Sequence, residues 1–168
     1  MGEVLSVDIK RWLIERLMAA LGPDATSDQW TINSVHSANL DGPPEWREKR
    51  NTYAPPFIQL RTGHVDQTTT GIVSDRLQQE RGHNFTILAI TAGPPEQAEE
   101  DAKIVTERAY QILRSMAVSI TDLPASMTGE TVFKLVIGQI RPATFPERDG
   151  ISYALGYIPI RVETETGI

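Results

Sequence analysis

The sequence predicts an α/β protein of the α+β type: a mixed, mainly antiparallel sheet packed by two helices, with long loops. Three observations carry this prediction. Apolar residues recur at helical spacing over 7–21 and again over 96–116. Residues 84–91 and 131–140 are apolar runs of strand length. Between these elements lie stretches dense in Gly, Pro and polar residues. The 168 residues, 40% of them hydrophobic, suit one domain over 1–168 with its own core, carrying extended loops at 39–56 and 62–83.

The first helix is expected over 7–21, with Ser6 as N-cap and Gly22-Pro23 as its stop. Ile9, Leu13, Leu17 and Ala20 form its central stripe, flanked by Leu5 and Trp12 on one side and by Ile14, Met18 and Leu21 on the other. That arc exceeds the roughly 100° a surface helix needs. Either the helix is buried deeply in its own subunit, or Ile14 and Met18 meet a neighbouring one.

Residues 30–35 alternate and read as a strand. The segment 39–56 holds four prolines and reads as a loop, and 57–61 as a short strand. Residues 62–83, polar with three glycines, read as an extended loop, a projecting hairpin or an arm. The run 84–91 is a central buried strand, ended by Gly93-Pro94-Pro95. The second helix follows over 96–116. Glu96, Glu99, Glu100 and Asp101 suit the positive end of its dipole, and Ala98, Ala102, Val105, Ala109, Ile112, Leu113 and Met116 form its buried stripe. After the 131–140 strand comes a loop over 141–150, then a last strand over 151–162. Its apolar phase shifts near Pro159, which predicts a bulge on an edge strand.

Chemistry is hard to find in this chain. It has no cysteine, so thiolate chemistry and disulfides are excluded. Residues 1–21 include charged side chains at positions 8, 10, 11, 15 and 16, unlike a signal-peptide core, and no apolar run reaches the roughly 20 residues that span a bilayer. A net charge of −6 argues against general nucleic-acid binding. Gly93-Pro94-Pro95 stands where a phosphate loop would sit, and prolines lack the amides that cradle phosphate. His36, His64 and His83 are isolated, so no metal site is expected, and the acids at 96–101 are explained by the helix dipole. There is no nucleophile elbow. We therefore expect no catalytic residue, cofactor or metal, although a carboxylate pair assembled in space stays open.

Another class of signal is present. Trp46, Arg47, Lys49, Arg50 and Tyr53 fall within eight residues, and these types are enriched at protein interfaces. The alternative is a loop whose Trp46 plugs the domain's own core. Arg76, Arg81, Arg141 and Arg148 lie in predicted loops, either as charged contacts for a partner or as solvated groups. The expected interface set is Ile14, Met18, Trp46, Arg47, Arg50, Tyr53, Arg76 and Arg148.

The element pattern resembles the phage tail terminator (tail completion) proteins. The shared features are an opening amphipathic helix at 7–21, strands with a variable loop region over 30–91, a second long helix at 96–116, and a closing strand pair. The last strand follows a charged Asp149-Gly150 turn. The 39–56 and 62–83 segments are larger than a minimal terminator needs. The resemblance implies a virion protein assembled in the host cytoplasm as a homo-oligomeric, hexameric ring. Its partners would be copies of itself, the tail tube protein, a neck or connector protein, and a sheath where one exists; DNA would only pass through the lumen. The ring would stop tube elongation and dock the head. A neck or head–tail connector role, and a small cytosolic enzyme without a recognisable motif, are the competing expectations.

Overall fold

A computed structural model describes residues 6–23, 32–38, 55–73, 76–118, 131–144 and 151–167. These form two helices and one six-stranded mixed sheet, the α+β arrangement expected. In chain order they are α1 (Ser6–Leu21), β1 (Ser34–Ala38), β2 (Phe57–Val73), β3 (Arg76–Gly93), α2 (Pro95–Val118), β4 (Thr131–Ile137), β5 (Arg141–Thr144) and β6 (Ser152–Gly167). The sheet order is β1-β2-β3-β6-β4, with β5 also paired to β6. Only β1–β2 is parallel. Asn33 ties β1 to the chain entering β2: its amide N–H donates to the Pro56 carbonyl at 2.8 Å and its Nδ2 to that of Pro55 at 3.2 Å.

Both helices lie on one face of the sheet. Ile9, Trp12, Leu13, Leu17 and Leu21 of α1 and Val105, Ala109, Leu113 and Met116 of α2 bury against Ile58, Leu60, Phe85, Ile87, Ala89, Leu135, Ile158, Ile160 and Val162. The expected α2 stripe is buried, except that Ile112 is only partly so and Thr106 joins it. At Gly156 the helix touches the sheet backbone: a Cβ there would stand 1.9 Å from Thr106 Oγ1. Gly93, at φ +155°, makes the turn from β3 into α2.

The opposite face carries a smaller cluster of Phe57, Leu88, Ile90 and Leu155, with Ala143, Tyr153 and Tyr157 against it. Gln59 lies on this face, fully buried, and neither its Oε1 nor its Nε2 has a hydrogen-bond partner among the described residues. A buried amide left unpaired costs about 1–3 kcal/mol. Gln59→Met, which keeps the shape and removes both polar atoms, should therefore raise stability by about 1–2 kcal/mol in urea unfolding. A variant less stable than wild type would show that the amide has a partner in solution.

Several expectations need correction. Of the readings of 62–83, the hairpin is the one found and the extended loop is not: the segment forms the outer parts of β2 and β3, paired from Val73↔Arg76 inward, with irregularities at Thr62/Val65 and Thr69/Gly71. None of residues 61–66 is fully buried, so selection for apolar alternation is weak there and a strand pattern is lost. Of the strand expected over 30–35, Ser34 and Val35 open β1 and Ile32 and Asn33 precede it, while residues 30 and 31 lie outside the described residues. Residues 141–144, expected in a loop, pair with β6 as β5. The loop expected at 39–56 lies outside the described residues, apart from Pro55 and Pro56.

Pro159 is not on an edge strand. β6 pairs with β3 continuously from Ser152 to Gly167, and with β4 and β5 on its other side. The N–H and C=O of one residue point to the same edge of a strand. The Pro159 carbonyl accepts from Gly138 N–H at 2.7 Å, so its missing N–H also faces the 138–140 link, where β4 has ended and β5 has not begun. Gly138 leaves room for the ring, since a Cβ there would meet Pro159 Cγ at 2.6 Å. The irregularity therefore falls on the partner strands. The apolar phase shift was also apparent only. Ala154, Ile158, Ile160 and Val162 face the helices, whereas Tyr153, Leu155 and Tyr157 face the second cluster.

Candidate functional sites

Three arrangements stand out among the described residues. The first joins α1 to the sheet. Ser6, expected as an N-cap, is the first residue of α1, and its Oγ lies 2.6 Å from His83 Nδ1. His83 Nε2 lies 3.3 Å from Thr164 Oγ1. His83 is buried at 1% exposure. Burial, then the charges of Arg81 and Arg161, lower its pKa to about 4. The Ser–His contact has the spacing of a nucleophile and its base. The rest of such a machine is missing here: the second ring nitrogen meets a hydroxyl rather than a carboxylate, and an imidazole with so low a pKa is a weak base. The pair works as a clamp that fixes the start of α1 to β3 and β6.

The second arrangement lies on the sheet face away from the helices, where the β2–β3 hairpin leaves the core. Arg161 NH1 donates to Asp66 Oδ2 at 2.5 Å, and Arg161 Nε to Glu163 Oε1 at 3.3 Å. Asn84 Nδ2 donates to Asp66 Oδ2 at 3.2 Å and to the His64 carbonyl at 3.0 Å. His64 Nε2 stands 3.2 Å from Asp66 Oδ1. The Arg161 hydrogen bond, followed by that of Asn84, holds the Asp66 carboxyl below its usual pKa. The Arg161 pKa is raised in turn, first by Asp66. Gly82 makes room for the guanidinium, which a Cβ would meet at 2.1 Å. Sequence reading could not find this network, because Asp66 and Arg161 are 95 residues apart and meet only through the β2–β3–β6 register.

The third is a groove of about 560 Å³ between α2 and the β5–β6 edge. Ala102, Ile140, Ala143, Leu155 and Gly156 supply apolar walls, and Glu99, Lys103 and Glu107 stand along its α2 side.

Of the expected interface residues, Ile14 is partly buried and packs on the edge of the main core. Met18 is also partly buried. Its side chain folds back along the end of α1, where a Cβ at Gly22 would meet Met18 Cε at 2.9 Å. The backbone of Arg76 opens β3 at the hairpin tip, opposite Val73. Trp46, Arg47, Arg50, Tyr53 and Arg148 lie outside the described residues. The structure therefore brings Ile14 and Met18 to one helix edge and leaves Arg76 remote on the arm.

Among the described residues no group of three or more His, Asp or Glu side chains is placed to hold a metal ion. No described helix is long and apolar enough to cross a membrane. No family model matches the chain, and no curated protein matches it.

Proposed function

We propose that the chain is a structural assembly subunit, a phage tail terminator whose ring caps the tail tube, stops its growth and presents a docking surface to the neck. The observation that supports this reading best is the long β2–β3 hairpin. Strands of 17 and 18 residues run beyond the helix-covered core, and β6 backs their outer part through the pairing Gln78↔Gly167 to His83↔Val162. A paired sheet that continues past the apolar clusters of its own core suits contact with neighbouring subunits. The partners in this reading are further copies of the chain, the tube protein and the neck protein, with DNA passing through the lumen. A surface of net negative charge repels phosphate and would let DNA pass without holding it.

Electron microscopy of particles assembled with and without this protein tests the reading. Without it, tubes should vary in length and carry no heads. Tubes of uniform length that fail to join heads would move the chain to the neck or connector. Uniform tubes with heads attached would remove it from both roles.

A further inference from the structure

Two surfaces of the subunit are complementary, and they lie at opposite edges of one sheet. The groove sits on the β5–β6 side, between that edge and the α2 residues Glu99, Lys103 and Glu107. Its carboxylates outnumber its cation two to one, and Glu96 and Glu100 are also exposed at this end of α2. The other surface is on α1, which covers β1 and β2. Val7, Arg11, Ile14 and Met18 are spaced i, i+4, i+7 and i+11, so they fall within about 60° of one another on the helix. They lie beside the buried arc on its solvent side. Val7 is 54% exposed, Arg11 is exposed, and Ile14 and Met18 are half-buried. This is an apolar ridge with a cation in its middle; the groove is an apolar trough with carboxylates along one wall.

We infer that the α1 ridge of one copy docks in the α2–β5 groove of the next, Val7 and Ile14 entering the trough and Arg11 meeting Glu99 and Glu107. The occupant is a second copy of this chain because the matching surface, apolar and cationic at the right spacing, is present on the chain itself. Two different patches at opposite edges give a head-to-tail contact, which propagates from copy to copy rather than stopping at a pair and makes a ring where its rotation closes. Pro142 within β5 disfavours extension of the sheet at that edge, since it lacks an N–H to donate to an added strand. The inference deepens the ring reading by naming the contact that would build it.

The absence of native cysteines makes the test direct. Val7→Cys and Ala143→Cys are placed together in one chain, which is treated with a short bis-maleimide and run on a denaturing gel. A ladder extending past the dimer is expected, with no ladder from either single variant. A monomer band alone overturns the contact and leaves the groove to a different protein. A product that stops at the dimer, or arises equally from one single variant, overturns its head-to-tail character. In parallel, Arg11→Glu should weaken self-association about tenfold in sedimentation. Adding Glu99→Lys and Glu107→Lys should restore it, at unchanged melting temperature. A triple variant as weak as the single one overturns the charge pairing. Cross-linking reads the contact and tail length reads the function, so either can fail alone.

Discussion

Gly156→Ala is expected to destabilise the protein by about 3 kcal/mol, lowering the melting temperature by about 6–12 °C. The added methyl would stand 1.9 Å from Thr106 Oγ1 and 2.8 Å from Thr106 Cβ and Cγ2. Rotating the threonine moves Oγ1 and Cγ2 but leaves the Cβ contact in place. It also breaks the hydrogen bond that Oγ1 donates to the Ala102 carbonyl at 2.5 Å. Gly156 cannot retreat, because β6 is paired there to Ala89 of β3 and to Pro142 of β5. The strain therefore passes into α2, which must lift from β6 and loosen Ala98, Ala102, Val105 and Ala109 together. Thr106→Ala in the same chain removes the hydroxyl and one methyl, so it should recover about half the loss; two residues in direct contact couple by about 0.5–3 kcal/mol. Thermal melting of the two single variants and the double variant decides it. A Gly156→Ala protein within 0.5 kcal/mol of wild type would show that α2 sits farther from the sheet than described.

The contact also explains what the sequence could and could not disclose. Alanines along 98–109 indicated a helix lying close on a sheet, and that part was legible from spacing alone. The facing glycine was not, because Gly156 lies in an apolar run and its meaning depends on what stands opposite. The same limit governs β6. Its two faces are each apolar over different lengths, and in one dimension two overlapping alternations look like a phase shift. Pro159 then suggested an edge, whereas a break between two partner strands accommodates it equally well. Local rules identify which backbone group proline lacks; only the register tells whether a neighbour needed it.

The candidate sites divide in the same way. The place of Ile14 and Met18 beside the buried stripe was readable from the helical wheel, whereas their partial burial decides between the two readings of the wide arc only in part. The groove opposite was unreadable, being built from α2, the 138–140 link, β5 and β6, which no spacing rule connects. The Asp66–Arg161 pair and the Ser6–His83–Thr164 clamp are likewise products of register. The burial of His83 was not legible, because the residue follows Gly82 in a polar stretch that gave no sign of a core.

That burial leads to the second large effect. Stability should fall by about 3 kcal/mol as the pH drops from 6.5 to about 4, through His83. The unfolded chain binds a proton on this histidine near pH 6.5, whereas the folded chain resists until about pH 4, because a charged imidazole would be buried beside Arg81 and Arg161. Between those values the unfolded state holds more protons, so acidification favours it. Above pH 6.5 the contribution of neutral His83 is complete, and below about 4 the loss levels off. Asp66 acts in the same direction in a separate window. Its folded pKa lies below 3.8, so its stabilisation is full above that value and is lost only in stronger acid. His83→Gln separates the two, since it retains a donor and an acceptor but cannot charge. Its stability curve should be nearly flat from pH 6.5 to 4 and cross that of wild type, less stable near neutrality and more stable near pH 4. Parallel curves would assign the acid sensitivity to another group. The clamp holds the first turn of α1, one residue from Val7, so protonation would also disturb the ridge proposed to dock against the next subunit. Cross-linking through Val7→Cys and Ala143→Cys should then weaken over the same pH interval in chains with His83 and persist in chains carrying His83→Gln.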